Sequence, residues 1–113
     1  MEAAEREARV RGHLVARIDG RAAPDKAALL ALLAAALKFP AYFGGNLDAL
    51  EDCLRDLGEF APAPGYLMLI EHAGAACPDR REDLTAVLQA LRAATRFWAE
   101  QTPPKPFAVV VSD

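Results

Sequence analysis

The sequence predicts an α/β fold in which a small three-stranded parallel sheet packs with three main helices. Three short and largely apolar segments, 13–19, 66–72 and 107–111, have the length and composition of β-strands. Helical patterns lie between them, and a helical crossover returns the chain to the same end of a sheet. The strands are therefore expected to run parallel. The length of 113 residues fits one domain.

The N-terminal half begins with a short strand and a buried helix. The strand over 13–19 alternates in polarity and ends in a turn at Asp19 and Gly20. Asp25 stands where an N-cap is expected, before a run of alanine and leucine, which favour helix strongly. Because this run is apolar nearly all round, its helix should be largely buried. Pro40 is expected to help end it.

An ordered loop and a second helix come next. Residues 38–46 contain three aromatic residues, two glycines and one proline, a composition that indicates an ordered loop and not a flexible linker. Asn46 is the predicted N-cap of a helix from residue 47 to about residue 57. Gly58 is expected to stop this helix.

The C-terminal half is predicted to contain two strands and the longest helix. Segment 66–72 is apolar almost throughout, a pattern typical of a strand that is buried on both faces of a sheet. The helical pattern of 79–101 follows. Segment 107–111, FAVVV, is also expected to lie far from water on both faces. Residues 1–12 are charged and are assigned to an N-terminal extension, either a frayed helix or a loose tail, before a single domain over 13–113.

Composition argues against several classes of function. The chain is 53% hydrophobic, enough for a core, and its net charge of −3 argues against a nucleic-acid partner. The first residues lack the pattern of a secretory signal, and the longest apolar run, 27–37, is too short to span a membrane. A cytoplasmic protein without a membrane partner is therefore expected. Cys53 and Cys77 belong to no CxxC or Cys/His motif, so neither a metal nor a cofactor is predicted.

The second predicted helix has one apolar and one charged side when its residues are placed ~100° apart. The apolar side carries Leu47, Ala49, Leu50, Cys53, Leu54 and Leu57. The charged side carries Asp48, Glu51, Asp52, Arg55 and Asp56. Residues 46–59 hold five carboxylates against one guanidinium, a net charge of −4, whereas all other residues together carry +1. The acidity of the chain is therefore local to this helix.

Such a face has the chemistry to bind the cationic cleft of a nuclease. Carboxylates on a rigid helix can take the places of substrate phosphates and form charge-assisted hydrogen bonds with Arg, Lys and His. Opposite potentials also speed the encounter of the two proteins. An aromatic residue in the preceding loop, such as Tyr42, can supply an anchor beside the charges.

A purely structural interpretation of the same residues is also open. Acidic helix faces are often only solvated faces. Phe39, Tyr42 and Phe43 could each pack as core beneath the loop, and Gly44 and Gly45 could serve only to permit a positive φ angle.

Residues 40–50, PAYFGGNLDAL, followed by Asp52, Cys53 and Leu54, resemble the hallmark motif of the barstar family. This is a family of intracellular inhibitors of barnase-type ribonucleases. Its pattern runs Pro-x-Tyr-[Tyr/Phe]-Gly-x-Asn-Leu-Asp-Ala-Leu-x-Asp, and the chain matches every fixed position of it. The resemblance also covers the order of elements from about residue 14 to residue 112, and it implies a barstar-like fold.

The resemblance implies a ribonuclease inhibitor, not an enzyme, that blocks a small basic ribonuclease one-to-one with helix 46–57 and loop 39–45. The implied partner-binding residues are Tyr42, Phe43, Gly44, Gly45, Asn46, Asp48, Glu51 and Asp52. Asp52 would occupy the phosphate site of the nuclease and Asp48 would meet a second basic group. Tyr42 would stack near the catalytic histidine, while Gly44 and Asn46 would present polar groups to the partner.

Two departures from the family pattern bear on the partner. Glu51 stands where the family has a tryptophan, and Ala93 lies near a position where it has an acidic residue. These changes predict that the target is a basic ribonuclease other than barnase, or another toxin nuclease with a similar cleft. The alternative is a barstar-like interaction domain of the immunity or antitoxin type for a non-barnase partner.

A thiol enzyme is the third class to consider. Cys77 precedes Pro78 in a loop, where it could be exposed, and His72 is five residues away. A third group that would orient this pair is not evident, and such pairs arise often by chance. Cys53 falls on the apolar side of its helix and is predicted to be a small core residue.

Overall fold

The computed structural model describes residues 1–113 and contains a three-stranded parallel sheet in the order β1-β2-β3. Its strands are β1 (Leu14–Asp19), β2 (Tyr66–Glu71) and β3 (Phe107–Val111). Its helices are α1 (Glu2–Val10), α2 (Lys26–Ala36), α3 (Leu47–Arg55), α4 (Leu57–Phe60) and α5 (Arg81–Ala99). The predicted α/β class with a parallel sheet is confirmed. None of the helices combines the length and the apolar character that crossing a membrane requires.

The main core lies between one face of the sheet and the helices α2, α3 and α5. Tyr66, Met68 and Ile70 project from β2 into this core and are almost completely buried. They meet the leucines of α2 and α3 and the apolar side of α5. Because β2 is the central strand, it has a neighbour on each side and is buried along its length, as its apolar sequence predicts.

The prediction that β3 is buried on both faces is wrong. Phe107 is buried, but Ala108 is exposed and 42% of the surface of Val111 is accessible to solvent. The order β1-β2-β3 places this strand at an edge, where no further strand covers it. An apolar sequence alone does not distinguish an edge strand from a central one.

The N-terminal residues form the helix α1, which packs across the second face of the sheet and is not a loose tail. Ala8 is buried against Leu67 and Leu69 of β2. Arg17 of β1 forms ion pairs with both Glu5 of α1 and Glu71 at the end of β2. This arginine therefore joins α1 to two strands of the sheet.

The helix α2 begins as predicted but ends before Pro40. Asp25 caps its N-terminus by accepting a hydrogen bond from the backbone N–H of Ala28 at 2.9 Å. At the other end Lys38 has φ +61° and the N–H of Phe39 donates to the carbonyl of Ala34 at 2.9 Å. This left-handed C-terminal cap closes the helix at Ala36 without a glycine.

The prediction that Gly58 stops the second helix is also wrong, because α3 ends at Arg55 and Gly58 lies inside the short helix α4. In a continuous helix the carbonyl of Leu54 would accept the amide of Gly58. Here it accepts the indole N–H of Trp98, which reaches it from α5 at 2.9 Å. A tertiary hydrogen bond therefore accompanies the break.

Candidate functional site

The loop before α3 is built around a hydrogen-bonded turn. The N–H of Phe43 donates to the carbonyl of Pro40 at 3.0 Å, so Ala41 and Tyr42 are the two central residues of the turn. Tyr42 keeps 75% of its surface exposed, more than any other aromatic side chain. The turn therefore presents one large aromatic ring to solvent on a fixed backbone.

The two phenylalanines of the loop point the other way. The rings of Phe39 and Phe43 meet edge to face with their centroids 5.1 Å apart, and Phe39 makes a similar contact with Phe60 of α4 at 5.9 Å. Both loop rings pack against the main core. The core interpretation thus applies to Phe39 and Phe43, whose rings support the loop from beneath, and not to Tyr42.

The residues between Tyr42 and α3 set the start of the helix. Gly45 has φ +73°, a conformation that favours glycine, whereas Gly44 does not adopt a positive φ. Asn46 caps α3, since its Oδ1 accepts a hydrogen bond from the N–H of Ala49 at 2.8 Å. The predicted cap is confirmed.

The helix α3 is divided between core and solvent. Leu50, Cys53 and Leu54 are buried in the direction of the core. On the other side the side chains are exposed, and they are Asp48, Glu51, Asp52, Arg55 and Asp56. Tyr42 and the acidic face of α3 are therefore both exposed, and they lie a few residues apart along the chain.

One carboxylate of this face is already paired. Asp52 accepts a hydrogen bond from Arg55 one helical turn later at 2.7 Å, and the two side chains remain 70% and 46% exposed. Asp48 and Glu51 form neither an ion pair nor a side-chain hydrogen bond within the protein. Asp56 is unpaired as well, so this face of the free protein has three unpaired carboxylates and a fourth, Asp52, that is bound to an exposed guanidinium.

The helix α5 supports α3 from behind and leaves a hollow of about 160 Å³ between the two helices. Glu51 and Arg55 line it from α3, and Ala93 and Phe97 line it from α5. Glu51 and Ala93, the two residues that depart from the family pattern, therefore line the same hollow. Trp98 is not among the residues that the sequence predicts for this site, yet its indole N–H joins α5 to the C-terminal end of α3.

A model of the family described as Barstar (barnase inhibitor) matches residues 13–112. The chain belongs to the barstar family. A comparison with curated proteins gives no significant match. The matched segment includes the loop, α3 and α5, and it excludes the whole of α1.

The thiols of this barstar-family protein are placed unfavourably for catalysis. Cys53 and Cys77 are both buried, and burial raises the pKa of each thiol above its usual range. Cys77 is not exposed in its loop, and no hydrogen bond joins its side chain to His72. Because the nucleophile of a thiol enzyme is the thiolate, a raised pKa and a buried sulfur argue against that class.

Proposed function

We propose that this protein inhibits a small basic ribonuclease by filling its active site with α3 and the loop over residues 39–46. The observation that carries the proposal is the arrangement of α3. Its carboxylates are exposed, its opposite face is buried in the core, and the loop that precedes it along the chain exposes Tyr42. Such a surface needs little ordering on binding, which lowers the entropic cost of association.

Each exposed group has a proposed role that follows the family resemblance. Asp52 enters the phosphate site of the nuclease, where arginine and histidine replace Arg55 as its partners. Asp48 pairs with a second basic group. Tyr42 stacks near the catalytic histidine, and the free amide group of Asn46 with the backbone at Gly44 provides hydrogen bonds. Charge-assisted hydrogen bonds are about twice as strong as neutral ones, so these carboxylates should dominate the affinity.

The inhibitor would act by blockade and perform no chemistry. A one-to-one complex would close the cleft of the nuclease to RNA, and the negative face would attract the positive cleft before contact. The proposed place of action is the cytoplasm, where the inhibitor protects the cell from a nuclease made there. Raising the salt concentration should slow association, because screening shortens the range of this attraction.

The hollow beside Glu51 supports a target other than barnase. Glu51 and Ala93 leave a space between α3 and α5 whose other walls are mostly apolar. A partner that fits this face would place a side chain there, with a basic group beside Glu51. If barnase is not the natural target, then Glu51→Trp should improve binding to barnase. This assignment would be contradicted if the unchanged protein binds barnase tightly and Glu51→Trp does not improve that affinity.

The deciding experiment is inhibition of RNA cleavage by a panel of small basic ribonucleases. Stoichiometric inhibition of at least one of them is expected. Asp52→Ala should weaken that inhibition about a hundredfold or more, because a buried charge of the nuclease would lose its partner. Asp56→Ala removes the same charge from the rim of the face and should cost much less. Equal small losses, or no inhibition of any enzyme in the panel, would reject the proposal.

A further inference from the structure

The edge of β3 offers an open row of backbone hydrogen-bonding groups. The N–H of Tyr66 donates to the carbonyl of Pro106, and the N–H of Ser112 donates to the carbonyl of Ile70, both at 2.9 Å. The backbone N–H and C=O groups of the even-numbered residues of β3 therefore point toward β2. Because backbone groups alternate along a strand, the N–H and C=O groups of Phe107, Val109 and Val111 face outward, and no other part of the chain bonds to them.

Nothing on this strand protects the edge. Sheet edges in native proteins usually carry charged residues, prolines or bulges that prevent pairing with another chain. The other edge strand, β1, carries Arg17 and Asp19. In contrast, residues 107–111 are all apolar. An edge of this kind is suited to accept an added strand.

A recess lies beside β3 on each face of the sheet. On the α5 side, Val109 and Val111 form the wall of a recess of about 370 Å³ that extends to Leu88, Arg92 and Arg96. On the α1 side, Ala108 and Val110 contribute to a groove of about 270 Å³ that Leu67 and Ala8 also line. Side chains of an added strand alternate between the two faces, so each recess would receive every second one.

The charges in the two recesses differ. Arg92 and Arg96 are exposed, form no ion pair and have no acidic residue beside them in the α5-side recess. The α1-side groove is mostly apolar, and its charged residues, Glu7 and Arg11, already form an ion pair with each other. A strand that matches both recesses has carboxylates on the α5 side and apolar side chains on the α1 side.

We propose that the edge of β3 binds an extended segment of another protein in which acidic and apolar residues alternate. Its backbone would extend the sheet, its carboxylates would pair with Arg92 and Arg96, and its apolar side chains would cover Ala108 and Val110. A second copy of this chain fits less well. Its β3 has no carboxylate to offer, and pairing of two such edges would bring the arginines of both copies to the same side of the sheet.

This surface shares no residue with the loop or with α3, so its test is independent of ribonuclease inhibition. The probe is a fluorescently labelled peptide, acetyl-Ser-Glu-Val-Glu-Leu-Glu-Val-Ser-amide, titrated with the full-length protein and followed by anisotropy. A peptide of the same composition, with its glutamates in one block, is the control for pattern. Saturable binding of the alternating peptide, at least tenfold tighter than the control, is expected.

Three variants locate the contact. Arg92→Glu combined with Arg96→Glu should weaken peptide binding at least tenfold, whereas Arg6→Glu, which alters another exposed arginine on α1, should not. Val109→Pro removes an outward N–H and no bond to β2, so it should leave the fold intact and abolish binding. Thermal melting checks that each variant is folded. The proposal would be overturned if the peptide does not bind, if both peptides bind equally, or if the arginine reversal has no effect on binding. It would also be overturned if sedimentation shows a dimer of the unchanged protein that is absent in the Val109→Pro variant.

Discussion

The indole N–H of Trp98 donates a hydrogen bond to the carbonyl of Leu54 across 2.9 Å and thereby joins α5 to the last turn of α3. The same indole ring packs beside Tyr66 and Phe97, and the ammonium group of Lys105 lies 5.3 Å from its centre. The acidic face of α3 is therefore fixed by one polar contact in addition to its buried leucines.

Replacing Trp98 by phenylalanine should destabilise the protein by about 1–2 kcal/mol. The change removes the hydrogen bond to Leu54 and part of the aromatic contact while keeping a ring in place. Urea unfolding followed by far-ultraviolet circular dichroism measures the loss. Phe97→Leu is the control, since Phe97 makes no hydrogen bond to α3. A loss for Trp98→Phe no larger than that of the control would show that the hydrogen bond contributes little.

Tyr42 and Phe39 should separate binding from stability. Tyr42→Ala is expected to change the free energy of unfolding by less than about 0.5 kcal/mol, because the ring is exposed. It should weaken inhibition of the target nuclease by about 2 kcal/mol or more. Phe39→Ala removes a ring that packs on Phe43 and Phe60, so it should cost about 2 kcal/mol of stability.

Urea unfolding and inhibition titrations on the same samples compare these two variants. If Tyr42→Ala inhibits the nuclease as strongly as the unchanged protein does, Tyr42 is not part of the interface. A large loss of stability in that variant would instead mean that the tyrosine supports the loop.

Arg55→Gln should speed association with the nuclease. The variant frees the carboxylate of Asp52 and makes the face more negative, so the on-rate at low salt should rise a few-fold. Stability should change by less than about 0.5 kcal/mol, since exposed ion pairs contribute little. Stopped-flow association measures the rate, and Arg6→Gln changes the net charge equally without altering α3. A slower on-rate for Arg55→Gln would show that Arg55 itself helps binding.

Asp19 should contribute stability that is lost in acid. Hydrogen bonds from the side chain and the backbone N–H of Arg21 lower the pKa of this carboxyl from 3.8 to about 2. A carboxyl whose pKa is lower in the folded state contributes fully above pH 3.8, and its contribution disappears as the pH falls through 2. Asp19→Asn should therefore lower the melting temperature slightly at pH 7 and by less at pH 2. A difference that persists unchanged at pH 2 would contradict this assignment.

Neither cysteine should react with iodoacetamide in the folded protein. Both sulfurs are buried, and burial raises the pKa of each thiol, so the reactive thiolate is both rare and inaccessible. Mass spectrometry should find no alkylation under native conditions and two adducts after unfolding in urea. Rapid labelling of Cys77 in the folded protein would return the thiol enzyme to consideration.

Local sequence signals predicted the parts of the fold that local interactions determine. Asp25 and Asn46 cap their helices because a short polar side chain reaches a free N–H three residues later, a relationship that the sequence contains. The errors depend on distant partners. The end of α3 involves Trp98, which is 44 residues away, and the exposure of β3 depends on the order of strands in the sheet.

The candidate site shows the same division. The helical spacing of α3 was sufficient to separate its acidic face from Leu50, Cys53 and Leu54. Composition could not tell which loop aromatic is exposed, because this depends on the turn between Pro40 and Phe43 and on the ring of Phe60 beneath it. Nor does spacing show that Glu51 of α3 and Ala93 of α5 line the same hollow.

The position of α1 affects how the protein can be shortened for laboratory use. A fragment cut to the family boundaries, residues 13–112, would lose the helix that lies over Leu67 and Leu69. It would also leave Arg17 with only one of its two acidic partners. Such a fragment would present an apolar stripe to water next to the open edge of β3, and so it should be poorly soluble and prone to precipitate on expression. The fragment to express is therefore one that is longer than the family match and includes α1.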